Sequence, residues 1–245
     1  MITVISPSVR PDGLKIVERC LKRQDFTDWE WLVIAPKRLS GDIQALSLPC
    51  TLLEDPPKRS GDFWSLCKAW NLGYSTARGE LIVNIQDMIW FPPDTLGRFW
   101  RHYQNNPKSL VTAVGDHYER QDDRGEPINK VWQDERDRSK FAEISNSELE
   151  MTMCSVPKQA ILDCGGVDEE YDKGPGVQEK EMGLRIKLLG YQLFIDPTIE
   201  YKAIKHARLT DDWDDKYWSI TAPMYKKHVE GLFDGTRNFN VGYVK

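Results

Sequence analysis

The sequence predicts an α/β fold: a single Rossmann-like domain with a mostly parallel central sheet flanked by helices. Three observations carry that expectation. Short apolar runs rich in β-branched residues alternate with segments whose apolar residues recur at helical spacing, the pattern of a parallel sheet covered on both faces. The chain has 245 residues, 40% of them hydrophobic, enough for one sizeable core. One apolar run, Leu81 to Ile85, ends in the polar pair Gln86–Asp87, with Trp90, Pro92 and Pro93 just beyond. In open parallel sheets ligands bind past the carboxyl ends of the strands, which is where that carboxylate falls.

The elements follow in order. "ITVIS" reads as a buried strand and "GLKIVERCLKRQ" as a helix, with Leu14, Val17, Cys20 and Leu21 on one face. "WEWLVIAP" is a second strand stopped by Pro36, and "CTLLEDPP" a third. "DFWSLCKAWNLGYSTA" has the helical set Phe63, Leu66, Ala69 and Trp70, and "ELIVNI" is the fourth strand. Residues 94–105 read as a helix capped by Asp94, and "SLVTAVGDHY" as a fifth strand. Residues 116–150 are charged with little apolar periodicity, either a solvated excursion or a functional lid. Trp132 stands alone there, as an anchor to the core or a platform for stacking a sugar. "MTMCSVPKQAIL" is a strand leading into a helix; Gly165–Gly166 and Gly174–Pro175–Gly176 mark turns. A helix runs from Val177 to Leu189, and "YQLFID" returns as a strand. Gln178, Glu179 and Glu181 fall in that helix's first turn, where acidic residues suit the dipole by about 0.3–1 kcal/mol each.

Composition excludes several classes. A formal net charge of −5 argues against a broad nucleic-acid footprint. No run approaches the ~18 apolar residues of a membrane span, and "MITVISPSVR" lacks the basic and apolar regions of a secretory signal. The five cysteines are scattered and form no CxxC pair, which predicts reduced thiols in a cytoplasmic protein and no structural zinc.

Three blocks in order resemble an inverting nucleotide-sugar glycosyltransferase of the GT-A fold, family 2. They are "ITVISPSVRPDGLKIVERCLKRQDFTDWEWLVIAP", "KAWNLGYSTARGELIVNIQDMIWFPPD" and "VPKQAILDCGGVDEEYDKGPGVQEKEMGLRIKLLG", spanning most of residues 1–206. The resemblance implies a catalytic domain over residues 1–210, with a donor-binding half at 1–115 and an acceptor-side half at 116–210. The tail 211–245, aromatic-rich at Trp213, Tyr217, Trp218 and Tyr225, lies outside it. That tail packs across the domain, lines an acceptor groove or makes an oligomer contact.

Residue by residue, the resemblance implies that Asp87 is the last position of the family's D-x-D and ligates a divalent metal, Mn²⁺ or Mg²⁺, together with His206. The motif's first Asp is Ile85 here. Ser6, Pro7, Ser8 and Arg10 would form the loop under the nucleotide, with Lys68, Asn71 and Gln86 also on the donor. Glu179 matches the family's catalytic carboxylate, with Glu181 as the alternative base. Trp132, Gln178 and Arg185 fall on the acceptor side. Where the family carries an Asp pair that recognises the base, the second strand ends Ala35-Pro36-Lys37-Arg38. The implied partners are a nucleotide-sugar donor and a hydroxyl acceptor: glycan, protein, small molecule or modified nucleic-acid base. Two other readings compete. One is a GT-A-like binder without turnover. The other is a nucleotidyltransferase, which calls for a Gly-rich basic first loop that "SPSVRPDG" does not supply.

Overall fold

The computed structural model describes residues 1–206 and 213–245. The chain runs β1 (Ile2–Pro7), α1 (Pro11–Leu21), β2 (Trp29–Ala35), α2 (Ser40–Gln44), β3 (Thr51–Glu54), α3 (Leu66–Thr76) and β4 (Leu81–Ile85). Next come β5 (Ile89–Trp90), α4 (Thr95–Asn105), β6 (Ser109–Gln121), β7 (Pro127–Trp132), β8 (Ala142–Glu143), β9 (Met153–Pro157) and α5 (Lys158–Cys164). It ends with α6 (Gln178–Leu188), β10 (Gln192–Ile204), α7 (Trp213–Lys216) and α8 (Ala222–Asp234).

One sheet in the order β3-β2-β1-β4-β9-β6-β10-β5 organises these elements, with β7 paired to β6 and β8 to β10. β1, β2, β3 and β4 are parallel; β9 runs antiparallel to both β4 and β6, and β6 is parallel to β10. The sheet is thus mostly parallel, as the alternating pattern predicts. Alternation along the strands divides the core. Ile2, Val4, Trp31, Val33, Leu81 and Val83 pack with α1 and α4 residues on one face. Ile5, Leu32, Ile34 and Ile82 pack with Trp70, Tyr74 and Met182 on the other. That period of two with both faces apolar is what a doubly covered sheet requires.

Several boundaries move. The helix expected from Asp62 starts at Leu66. The backbone N–H groups of Phe63 and Trp64 instead donate to the Asp172 carbonyl, and the Asp172 carboxylate accepts from the N–H of Cys67 and Lys68. This distant residue serves as the cap for α3. Asp94 precedes α4, but its carboxylate takes Arg98 rather than capping the backbone. Residues 116–150 are more ordered than their charge suggests: β6 continues to Gln121 and pairs with β7 as a hairpin. β10 extends from Gln192 to Ile204, with a register shift between Asp196 and Glu200.

The C-terminal residues pack on the domain. The N–H groups of Tyr243 and Val244 donate to the Gly165 carbonyl, and Val244 is buried. Gly166 explains the glycine pair: at φ +89° it faces Asn71, and a Cβ there would lie 2.4 Å from the Asn71 Oδ1. The boundary expected at 210/211 lies outside the described residues. No described helix is long and apolar enough to cross a membrane.

Candidate functional site

A cavity of about 1100 Å³ opens at the carboxyl ends of β1, β2, β3 and β4. Chain reversal puts it there: each parallel strand ends at the same edge, and the loops that follow rise around one hollow. Pro7, Ser8, Arg10, Gln86, Asp87 and His206, all expected on the donor or its metal, line it. Arg38, Lys58 and Lys205 add cations, while Ile34, Pro36, Phe63, Trp64 and Leu66 supply apolar wall. A hollow with clustered cations and an apolar slot suits a ligand that has anionic groups and a flat ring.

Asp87 is the centre of its polar contacts. It is 8% exposed. The Ser8 hydroxyl donates to Oδ2 at 2.8 Å, and Arg10 Nη1 lies 3.2 Å from Oδ1. The next residue, Met88, has φ +62°, uncommon for a residue with a side chain and a kind of strain that gathers at functional sites. Trp90 and the prolines beyond it hold this loop in place. β5 pairs antiparallel with β10, the Lys202 ammonium sits 4.5 Å from the Trp90 ring centroid, and Gln24 Nε2 donates to the Pro92 carbonyl.

The β6–β7 hairpin and the end of β10 reach the cavity through His117, Val131, Lys205 and His206. Val131 and Trp132 are exposed at 55% and 46%. The Trp132 ring lies 4.8 Å from that of His117. Trp132 is therefore a surface aromatic beside the cavity residues and not a core anchor. Burial, then the neighbouring His206, holds the His117 imidazole below its ordinary range.

Glu179 and Gln178 open α6 but do not line the cavity. Glu179 is 9% exposed. Burial first, and the Glu150 carboxylate second, push its carboxyl up to about 7. The turn before it is tight: Gly176 has φ +77° and Val177 φ +60°, and a β-branched residue there is a backbone outlier. The extension covers this turn, with Thr221 Oγ1 donating to the Pro175 carbonyl at 2.6 Å. Among the described residues, Gln178 Oε1 is buried without a hydrogen-bond partner.

Other expected site residues lie elsewhere. Ser6 is fully buried and its hydroxyl accepts from the Trp31 indole. Lys68 pairs with Asp62 and, with Asn71, lines a separate hollow of about 460 Å³. Glu181 and Arg185 are both 0% exposed and form an ion pair at 2.9 Å. Arg185 also donates to the carbonyls of Cys164 and Gly166, so this pair ties α6 to the end of α5. Sequence reading missed Asp55 and Lys58 as lining residues. Asp55 and Lys58 sat in a stretch read only as a strand end, with no pattern to single them out.

Two groups bear on a divalent ion. Asp87 and His206 share the cavity, and magnesium or manganese commonly takes one or two carboxylates and draws its remaining ligands from water and phosphate. That sparse donor set fits such an ion, although Arg10 engages the same carboxylate. Away from the cavity, Asp168, Glu181 and His228 bring ligand atoms within 4.8 Å of one another. Arg237 already donates to both Asp168 and Glu181, so that group is neutralised from within.

No protein-family model and no curated protein matches the chain. Solved structures do. S. aureus TarS 1–349 in complex with UDP superposes with a TM-score of 0.61 at 15% identity, over 83% of this chain and 60% of that one. GalNAc-T7 with UDP, GalNAc and Mn²⁺ gives a TM-score of 0.63 at 12% identity, over 85% of this chain and 44% of that one. The chain therefore has the GT-A-type fold of these glycosyltransferases, and it spans about half the length of each.

Proposed function

We propose that this protein is a glycosyltransferase that moves a sugar from a nucleoside-diphosphate donor to an acceptor hydroxyl with inversion, assisted by a divalent metal. The observation that carries the reading is the cavity at the strand ends, where Asp87, Ser8 and Arg10 meet beneath a cationic and partly apolar lining. The structural neighbours solved with UDP, one also with Mn²⁺, support it.

In this reading Arg10, Arg38 and Lys58 bind the diphosphate and offset the charge that develops as it leaves. A divalent ion at Asp87 and His206 would add Lewis-acid stabilisation of that leaving group. Glu179, held near neutrality, is the general base. The acceptor oxygen bonds to the anomeric carbon, the bond from that carbon to the diphosphate oxygen breaks with its electron pair staying on the diphosphate, and the hydroxyl proton passes to Glu179. Trp132 stacks an acceptor ring, and Gln178 orients it. Free thiols at all five cysteines suit a cytoplasmic setting. A thermal-shift screen of nucleoside diphosphates and nucleotide sugars, with and without manganese, tests the reading. Stabilisation by nucleotide sugars confirms donor binding, and no shift with any of them rejects it.

A specific observation favours a second reading, a binder without turnover: Glu179 does not line the cavity, and Arg10 occupies Asp87. Manganese-dependent release of free sugar from a donor, even without an acceptor, separates the first from the second.

A further inference from the structure

β6 and β7 do not match residue for residue at the cavity. Tyr118 faces Lys130 but His117 faces Trp132, so one step on β6 answers two on β7 and Val131 is the extra residue. This is a β-bulge, a device that re-aims side chains and gathers beside active sites. Here it brings two successive residues of β7 to one place. Val131 lines the cavity, and the Trp132 ring lies 4.8 Å from the ring of His117, which lines it too. On the other side of His117, β10 sets Ala203 in register, and that small residue is also part of the lining. Val131, His117 and Ala203 thus form a row across three strands, with Trp132 at its outer end.

The side chains of this row stand in water while the backbone beneath them is fixed. Val131 and Trp132 are 55% and 46% exposed, and His117 is exposed as well. The Asp134 N–H donates to the Asp116 carboxylate at 3.1 Å, and the Gly115 N–H donates to the Asp134 carboxylate at 3.0 Å. Arg136 donates to the carbonyls of Ala113 and Glu148. A large aromatic held out on a clamped strand is arranged for a ligand, because much of its ordering cost is met before binding.

The chemistry of the row narrows that ligand. Trp132 and Val131 offer apolar surface, and the His117 imidazole offers ring nitrogens to a hydroxyl. The flanking charges are already paired, Lys130 and Arg138 with Asp116 and Arg136 with Asp134. That leaves little on the hairpin for a phosphate backbone, which nucleic acid would bring. A peptide would add as a strand along the outer edge of β7. Asn129 at φ +60° and the bulge at Val131 interrupt that edge within six residues. A pyranose fits, with a C–H face for the indole and hydroxyls around its rim.

Building on the nucleotide-sugar reading above, we propose that the bulged end of the β6–β7 hairpin is the acceptor subsite. Its ligand is an uncharged sugar ring stacked on Trp132, and His117 sets which sugar by hydrogen-bonding one ring hydroxyl.

Fluorine NMR of the full chain made with 5-fluorotryptophan tests this, the Trp132 signal being assigned from Trp132→Phe. The probes are the methyl β-glycosides of glucose, galactose, mannose and N-acetylglucosamine, a blocked Ser/Thr hexapeptide and a thymidine hexanucleotide. At least one glycoside should move the Trp132 signal saturably, and the peptide and oligonucleotide should not. By saturation-transfer NMR on the sugar protons, Trp132→Ala should weaken the best glycoside about tenfold or more. His117→Ala should compress the spread of affinities among the four sugars, and His117→Gln should restore part of it. All three residues are exposed to solvent, and UDP titrated into Trp132→Ala should bind as it does to wild type. No response of the Trp132 signal to any glycoside overturns the proposal, as does a response to the peptide or the oligonucleotide instead. Equal losses of sugar and UDP in Trp132→Ala also overturn it, since they place the effect in the fold. An unchanged order and spread of sugars in His117→Ala overturns the role of His117. If sugars bind at Trp132 but wild type binds no nucleoside diphosphate, the nucleotide-sugar reading fails and the acceptor assignment fails with it.

Discussion

Arg10 Nη1 lies 3.2 Å from Asp87 Oδ1 and 3.3 Å from Oδ2, so the first loop places a guanidinium against the carboxylate at the end of β4. The pair is largely shielded, with Asp87 at 8% exposure, so the attraction is stronger than at an open surface. A divalent ion at Asp87 has to compete with that contact or share the carboxylate with it.

This sets the first prediction. Asp87→Ala should abolish any gain in donor affinity from manganese while the protein stays folded. Arg10→Gln should strengthen the manganese dependence and weaken donor binding in metal-free buffer. Titrating donor into each variant with manganese or with chelator reads both effects. Equal donor affinity with and without metal in wild type would make Arg10 the only cation serving the diphosphate at this position.

Glu179→Gln should lower turnover by roughly a hundred- to ten-thousand-fold, with donor affinity nearly unchanged. In the wild type, activity should rise with pH through about 7, because the base works only as the carboxylate. Glu150→Gln removes a neighbouring negative charge and should move that limb to lower pH. The stability sign is opposite to that of a salt-bridged carboxylate. The folded value is raised, so the folded chain holds the extra proton, and stability falls as pH climbs from the ordinary carboxylate range through about 7. Glu179→Gln should flatten this slope in urea unfolding. A pH profile identical to wild type would remove Glu179 from the chemistry.

Glu181→Gln should act on the fold. It leaves the fully buried Arg185 without its carboxylate, and breaking such a pair typically costs about 3–5 kcal/mol. Denaturant unfolding should show a loss of that size, with kcat per folded molecule near wild type. A large kcat loss at wild-type stability would instead make Glu181 the base.

Much of the fold was legible because the period of two along β1, β2 and β4 and the helical period of α1 are local signals of burial. The β6–β7 hairpin was not, since the far end of β6 and nearly all of β7 carry charges on an exposed ribbon with no buried face to mark them. Likewise, the start of α3 is fixed by Asp172, about a hundred positions away, which local propensity does not report. In the site, Asp87 was legible as a carboxylate ending an apolar run. Asp55 was not: its place at the cavity depends on Ser65 and on a wall drawn from β2 and the loop before α3. Glu181 and Glu179 look alike in sequence, and only packing separates a carboxylate held in an ion pair from one that burial leaves protonatable.

The last prediction tests whether the Asp87 loop depends on close backbone approach. A Cβ on Gly13, in the first turn of α1, would lie 2.8 Å from both the Asp87 Cβ and the Met88 N. Glycine to alanine in an ordinary helix gains roughly 0.5–1 kcal/mol. Here overpacking against backbone costs about 1–3 kcal/mol, so the clash should cancel or exceed that gain. The loop carrying Asp87 would shift by some tenths of an ångström, and small misplacements of binding groups are costly. Gly13→Ala should therefore leave thermal stability level or lower while donor affinity in manganese falls about tenfold or more. Gly41→Ala is the control, because a Cβ at that helical position would meet nothing within 4 Å and the backbone there has no positive φ. It should raise stability slightly and leave donor binding alone. If Gly13→Ala stabilises the protein like Gly41→Ala and binds donor normally, the loop is not positioned by this contact.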